Sequence, residues 1–293
     1  MRRVCAIVSA TALEALSEPF VLLVLLASLV LAVLAPAMHY HQFGEASRMA
    51  RDAGMSAVLV GGLVVAFSCA VRTVRREIET GTAEAALSHS VSRTEFFLAK
   101  FLGCAAAYAW FVLTVSLVSL TVVRGAEIGG EIAAANGDIA RIWGPSFALA
   151  VAAMVLPVLL AAALNRFARF RYVISANMLT LGFAAAGVPY RFDAELALRL
   201  LPAFALSAAP ALALMAASAA FAVRFKANAA SSLAALVAAA MLPALGNYCL
   251  SDALAEGGRV PWTYFALASA ALAPAVVAAL VLGVHFINGR DVQ

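Results

Sequence analysis

The sequence predicts an all-α, polytopic helical membrane protein with six to eight transmembrane helices, and three observations predict it. The first is composition: of 293 residues, 65% are hydrophobic and 12% are charged, and mean hydropathy is +0.96. A soluble domain carries about 25% charged residues, so this chain could not cover its surface in water. The second is clustering, because the charges gather in short segments that leave long uncharged blocks between them. The third is that runs such as Val21–Leu34 and Ala208–Val223 are apolar all round. A membrane β-barrel needs apolar and polar residues to alternate over about ten positions, and no such alternation occurs.

Crossing the hydrocarbon core as a helix takes about 20 mostly apolar residues. Eight stretches reach or approach that length: 20–38, 54–71, 97–123, 144–164, 172–189, 200–223, 229–250 and 261–286. The first follows Arg2, Arg3, Glu14 and Glu18 and is longer than the apolar core of a signal peptide, so an uncleaved span is expected. The fifth is the shortest and holds Asn177, Gly182, Gly187 and Pro189, which suits either a full span or a re-entrant, broken helix. Lys100 is the only Asp, Glu, Lys or Arg inside these stretches. The organisation expected is a polar, amphipathic segment over 1–19 followed by a transmembrane domain over 20–293.

Orientation follows from the basic residues. With eight spans and an inner N-terminus, thirteen of the twenty Lys and Arg fall on inner segments and seven on outer ones. The positive-inside rule then puts both termini in the cytoplasm of a cell membrane, with the 39–53 and 125–143 loops outside. This topology also accounts for the net charge of +4 without nucleic acid as a partner. Cys5, Cys69, Cys104 and Cys249 show no paired spacing, so neither a disulfide framework nor a zinc site is expected. Pro157, Pro202, Pro210, Pro243 and Pro274 each remove a backbone donor and read as packing kinks.

The most informative polar segment is the loop over 72–96, within Arg72–Lys100, between the second and third spans. The second helix continues past its apolar stretch through Arg75, Arg76, Glu77 and Glu79. Gly81 can then take the left-handed conformation that closes a helix, and Thr82 can cap a short one, with Glu84 in its first turn and Ala85, Ala86 and Leu87 as its apolar positions. Ser92-Arg93-Thr94-Glu95 is a capping box that starts the third span.

On these residues the segment resembles the loop between the second and third spans of permease subunits in ABC-2 type ABC transporters. That family reads as an acidic residue, Glu-x-Gly-Thr, a small apolar helix, Pro-Val-Ser-Arg and a Lys. The positions that match are Glu77, Glu79, Gly81, Thr82, Leu87, Val91, Ser92, Arg93, Glu95 and Lys100. The 1–19 segment, with Thr11 and Glu14, resembles the amphipathic elbow helix that precedes the first span in that family. Ser90 stands where the family has proline, and the family commonly has six spans. The likeness covers the first 125 residues, and beyond them only hydropathy agrees.

The resemblance implies a permease whose short helix after Gly81 is a cytoplasmic coupling helix docking on a separate ABC ATPase subunit, and a second permease chain as homo- or heterodimer partner. Arg75, Arg76, Glu77, Glu79, Gly81, Thr82, Glu84, Leu87, Ser92 and Arg93 would form the ATPase-coupling surface. ATP and Mg would be bound by the partner subunit and membrane lipids would surround the chain. No phosphate-binding loop, GxSxG or HExxH motif occurs, so no cofactor site, no metal site and no enzyme activity is expected of this chain itself. His39 and His41 lack further ligands nearby and read with Tyr40 as an interfacial belt. Ser175, Asn177, Thr180, Asn247 and Tyr248 are polar residues within spans that could line a substrate path, and helix-to-helix hydrogen bonding is the expected role. The alternatives are a secondary transporter or channel that needs no ATP, and a membrane anchor or assembly factor.

Overall fold

The computed structural model describes residues 2–34, 46–80, 92–136, 139–168, 171–191, 194–225 and 262–289. Every element among them is a helix: α1 (Arg2–Leu16), α2 (Pro19–Leu34), α3 (Ala46–Thr80), α4 (Arg93–Asn136), α5 (Ile139–Ala168), α6 (Tyr172–Arg191), α7 (Ala194–Arg224) and α8 (Trp262–Asn288). Among the described residues five stretches are long and apolar enough to cross a membrane: Ser47–Thr73, Arg93–Glu127, Ala148–Phe167, Glu195–Arg224 and Phe265–Asn288. The pair Val4–Leu16 and Pro19–Leu34, bent by 64°, makes a sixth if taken as one span. The chain is a polytopic helical membrane protein. The expected span at 229–250 lies outside the described residues.

Helix limits follow local chemistry. Ser17 and Glu18 separate α1 from α2, and Pro19 stands at the first helical position, where its fixed φ suits the helix and its missing N–H costs nothing. The Glu18 carbonyl accepts from the Val21 amide at 3.2 Å, which starts the new helix at once. α3 runs on as helix to Thr80, beyond its apolar stretch, as the Arg- and Glu-rich sequence there predicts. α4 also continues to Asn136 and α5 begins at Ile139, so most of the loop expected over 125–143 is helical. The Ala-rich sequence Ile132-Ala133-Ala134-Ala135 favours that outcome, since alanine loses no side-chain entropy in a helix. α6 is unbroken through Gly182, and its apolar part, Tyr172–Ala186, is shorter than a full span.

α4 is the hub and packs against each of the other described helices. α3 lies between α4 and α7, and these three carry most of the core, including Val58, Val65, Phe97, Phe111, Val115, Leu200 and Met215. Small residues set the approach: a Cβ on Gly61 would run into Ser28 and Phe111, so α2, α3 and α4 meet closely only because that position is glycine. α5 and α8 are peripheral, with Leu159, Phe167, Leu267, Val277 and Val281 exposed, the surface that lipid tails solvate in a membrane.

Candidate functional site

The site is assembled where α1 turns into α2 and α3 leaves its apolar stretch. α1 lies against α4 through one face. Thr11 on that face is fully buried, and its Oγ1 donates back to the Ile7 carbonyl at 2.8 Å, so no hydroxyl is left unbonded. Thr11 and the Val8 carbonyl press on Gly103 of α4, where a Cβ would come within 2.9 Å of that carbonyl. The end of α1 is fixed from elsewhere: the Asn177 Nδ2 of α6 donates to the Leu16 carbonyl at 2.7 Å. Leu16 is in the last turn of α1, whose carbonyls have no intrahelical partner, so Asn177 acts as a cap supplied from another helix. Trp110 of α4 donates its ring N–H to the Asn177 carbonyl at 3.3 Å, which ties α4 to the same point.

The charged residues converge beside this turn. Arg72 Nη1 is 3.4 Å from Glu18 Oε2, and Arg76 Nη1 is 3.3 Å from Glu14 Oε1 and 3.7 Å from Glu18 Oε1. Arg72 also lies 5.0 Å above the Phe20 ring, a cation–π contact with the first turn of α2. Arg72 and Arg76 are one helical turn apart, so both guanidinium groups face the α1–α2 turn. Their pairing with Glu14 and Glu18 binds α3 to both α1 and α2 around a crevice whose apolar lining is Ala15, Phe20, Val21 and Cys69.

The start of α4 is anchored separately. The Ser92 amide donates to Glu95 Oε2 at 3.0 Å and the Glu95 amide donates to Ser92 Oγ at 3.2 Å. This is the reciprocal pair of a capping box. Arg93 Nη1 donates to the Ile287 carbonyl in the last turn of α8 at 3.5 Å, a contact across 194 residues of sequence. Lys100 is buried and holds its ammonium 5.9 Å from the Phe96 ring centre.

Of the ten expected coupling residues, three have described side chains: Arg76 pairs at the α1–α2 turn, while Ser92 and Arg93 sit apart from it at the start of α4. Arg75, Glu77 and Glu79 fall on the α3 backbone, and Gly81, Thr82, Glu84 and Leu87 lie outside the described residues, as do Asn247 and Tyr248. Asn177 makes the helix-to-helix bond expected of it, whereas Thr180 Oγ1 bonds within its own helix to the Ala176 carbonyl at 2.7 Å. Sequence reasoning missed the roles of Glu14, Glu18 and Arg72 as pairing partners. Their only sequence signal is that they are charges flanking apolar runs.

A second charged cluster occupies the opposite end of the bundle. Arg51 of α3 is buried within reach of the charges of Arg199, Glu127, Asp52 and Arg48, and Arg124 Nη1 is 3.6 Å from Glu127 Oε2. The helical stretch Ser47–Thr73 starts before the expected span at 54–71 and so takes in Arg48, Arg51 and Asp52, which the sequence reading put in the 39–53 loop. No group of three or more His, Cys, Asp or Glu side chains suited to a metal occurs among the described residues. No family model, curated protein or solved structure matches the chain.

Proposed function

We propose that the chain is the transmembrane permease subunit of an ATP-driven transporter of the ABC-2 type, in which a separate ATPase subunit drives substrate across the membrane. In this reading the α1–α2 turn is the elbow, the 81–91 segment carries the coupling helix, and both face the cytoplasm. The observation that carries it is the anchoring of both ends of that segment. On one side Arg72 and Arg76 join α3 to Glu14 and Glu18 at the α1–α2 turn. On the other side the capping box fixes the start of α4 and Arg93 reaches the end of α8. A push delivered to the segment would thus reach α1, α2 and α3 through one end and α4 and α8 through the other. That is the mechanical property a transmission element needs, since packed helices move as bodies and do not deform continuously.

Within this reading the ATPase supplies all nucleotide chemistry and binds ATP and Mg, while a second permease chain completes the pathway. Ala85, Ala86 and Leu87 form the buried part of the docking surface and Arg75, Glu77, Glu79, Glu84 and Arg93 its charged rim. The test is co-purification of the chain with a Walker-motif ATPase encoded beside it. Leu87→Asp is expected to lose the ATPase, Glu84→Ala to retain most of it, and Gly81→Val to reduce transport more than membrane insertion. Equal recovery of the ATPase with wild type and Leu87→Asp would overturn the reading.

A further inference from the structure

We infer that the side of α8 turned away from α7 is a docking surface, and that its occupant is the 229–250 segment of the same chain, crossing the membrane in the opposite direction. The directions of the helices require such a crossing. Phe204 of α7 and Ser119 of α4 both adjoin Gly54 of α3, and one turn further along α7 the Ala208 carbonyl accepts from the Tyr108 hydroxyl of α4 at 2.7 Å. Advancing along α7 therefore means retreating along α4. On α8, Gly283 abuts the Phe97 ring, and the Ile287 carbonyl accepts from Arg93 at 3.5 Å. α8 too runs against α4, so α7 and α8, which pack side by side, point the same way. α7 finishes at Arg224 at the end of the bundle where α8 also finishes, whereas α8 begins at Trp262 at the other end. The chain over 226–261, which lies outside the described residues, must return across the height of the bundle.

The 229–250 segment suits that return, because it contains no Asp, Glu, Lys or Arg. As a helix it would rise about 33 Å, against a hydrocarbon core of about 30 Å. Its starting place is narrow. Residues 226–228 reach about 10 Å when fully extended, one helix-to-helix distance, so the segment begins beside the end of α7. α7 itself has little side to offer, since α3, α4 and α8 cover it and 72% of its apolar stretch is buried. α8 has a free side: 6% of its apolar stretch is buried, and its packed stripe runs through Val276, Leu280 and Ile287. Ala270, Val277 and Val281 on one flank of that stripe and Ala271, Ala275 and Leu282 on the other are exposed. Alanines here and in the segment let two helices approach closely. A second copy of the chain could also meet this face, but only the covalent connection obliges the segment to lie beside it.

Cross-linking of the full chain in membranes tests this. Cys5, Cys69, Cys104 and Cys249 are replaced by serine and a protease site is placed within 251–261. Single cysteines scanned over 231–234, 237–240 and 243–246, one turn each, are paired with single cysteines on α8 and oxidised with copper phenanthroline. The antiparallel order sets the partners: Val281→Cys or Leu282→Cys for the first turn, Val277→Cys or Ala275→Cys for the second, and Ala270→Cys or Ala271→Cys for the third. In each matched set one pair should leave the two cut halves joined at monomer mass until reductant is added. Mismatched sets, such as 231–234 with Ala270→Cys, should give no product. They are offset by about 16 Å along the axis, more than the roughly 7 Å a disulfide bridges between Cα atoms. Should the serine background fail to fold, protease sites at 226–228 and within 251–261 of the chain with its own cysteines should be cut from opposite faces of sealed vesicles. Cutting of both from one face would overturn the inference. So would products at dimer mass alone, which assign the surface to a second copy, or no product with either flank of α8, which leaves it to lipid. No ATPase enters these measurements, so they stand or fall apart from the proposed function.

Discussion

The two ends of α3 carry similar residues in different settings, and the contrast separates a lock from a joint. At the far end Arg51 is 5% exposed, surrounded by charges from α4 and α7 as well as from its own helix. At the elbow end Arg72 and Arg76 are more than half exposed, and their carboxylate partners are 3.3–3.7 Å away. A buried charge that loses its partners leaves an uncompensated ion in a medium of low dielectric, which costs several kcal/mol. A solvated pair contributes about 0–1 kcal/mol and can break and re-form. The far end therefore holds α3, α4 and α7 in fixed register, while the elbow end joins α3 to α1 and α2 in a way that thermal motion can rearrange.

The largest effect is expected from the lock. Arg51→Ala empties a position 5% exposed and takes one of three cations from Glu127, which keeps Arg124 and Arg199, and should cost about 3 kcal/mol, most of it lost packing. Thermal inactivation of the detergent-solubilised chain measures it. A cost equal to that of Arg76→Gln would abolish the distinction between the two ends.

An intermediate effect is expected at Asn177. Asn177→Leu keeps the number of side-chain heavy atoms but removes the donor to the Leu16 carbonyl, a loss of about 1–2 kcal/mol. The variant should also widen the distribution of distances between spin labels on exposed positions of α1 and α5, read by pulsed electron resonance. An unchanged distribution would show that packing at Thr11 and Gly103 alone sets the bend.

These long-range ties mark the limit of what the sequence disclosed. The helices, the extension of α3 and the Ser92–Glu95 capping box were legible because each depends on residues within a few positions of one another. The Glu14–Arg76, Glu18–Arg72, Asn177–Leu16 and Arg93–Ile287 contacts join residues 54 to 194 apart. They depend on how each helix is rotated about its axis. A helix apolar all round, such as α2, carries no polar face from which that rotation can be read. Asn177 illustrates the difficulty, since its type predicted an interhelical bond but not that its partner would be the end of α1. The helical continuation of α4 to Asn136 was missed because Gly129, Gly130 and Glu131 look like a loop, and helix propensity over the whole window won.

The smallest change in stability is expected at the joint, and there it should be separable from function. Arg76→Gln removes the contacts to Glu14 and Glu18 at a position 63% exposed. Water already solvates this guanidinium, so the cost should stay below about 1 kcal/mol. A double-mutant cycle of Arg76→Gln with Glu14→Gln isolates the pair from other effects of either change. The coupling energy should fall towards zero in 1 M salt, where the Debye length is about 3 Å, comparable with the separation itself. Under the same salt the Arg51→Ala cost should persist, because buried charges are screened far less. If the elbow transmits motion, Arg76→Gln should lower transport by more than its effect on stability would explain. A coupling energy that is large and insensitive to salt would make this end a second lock, and the reading of α3 as fixed at one end and jointed at the other would fail.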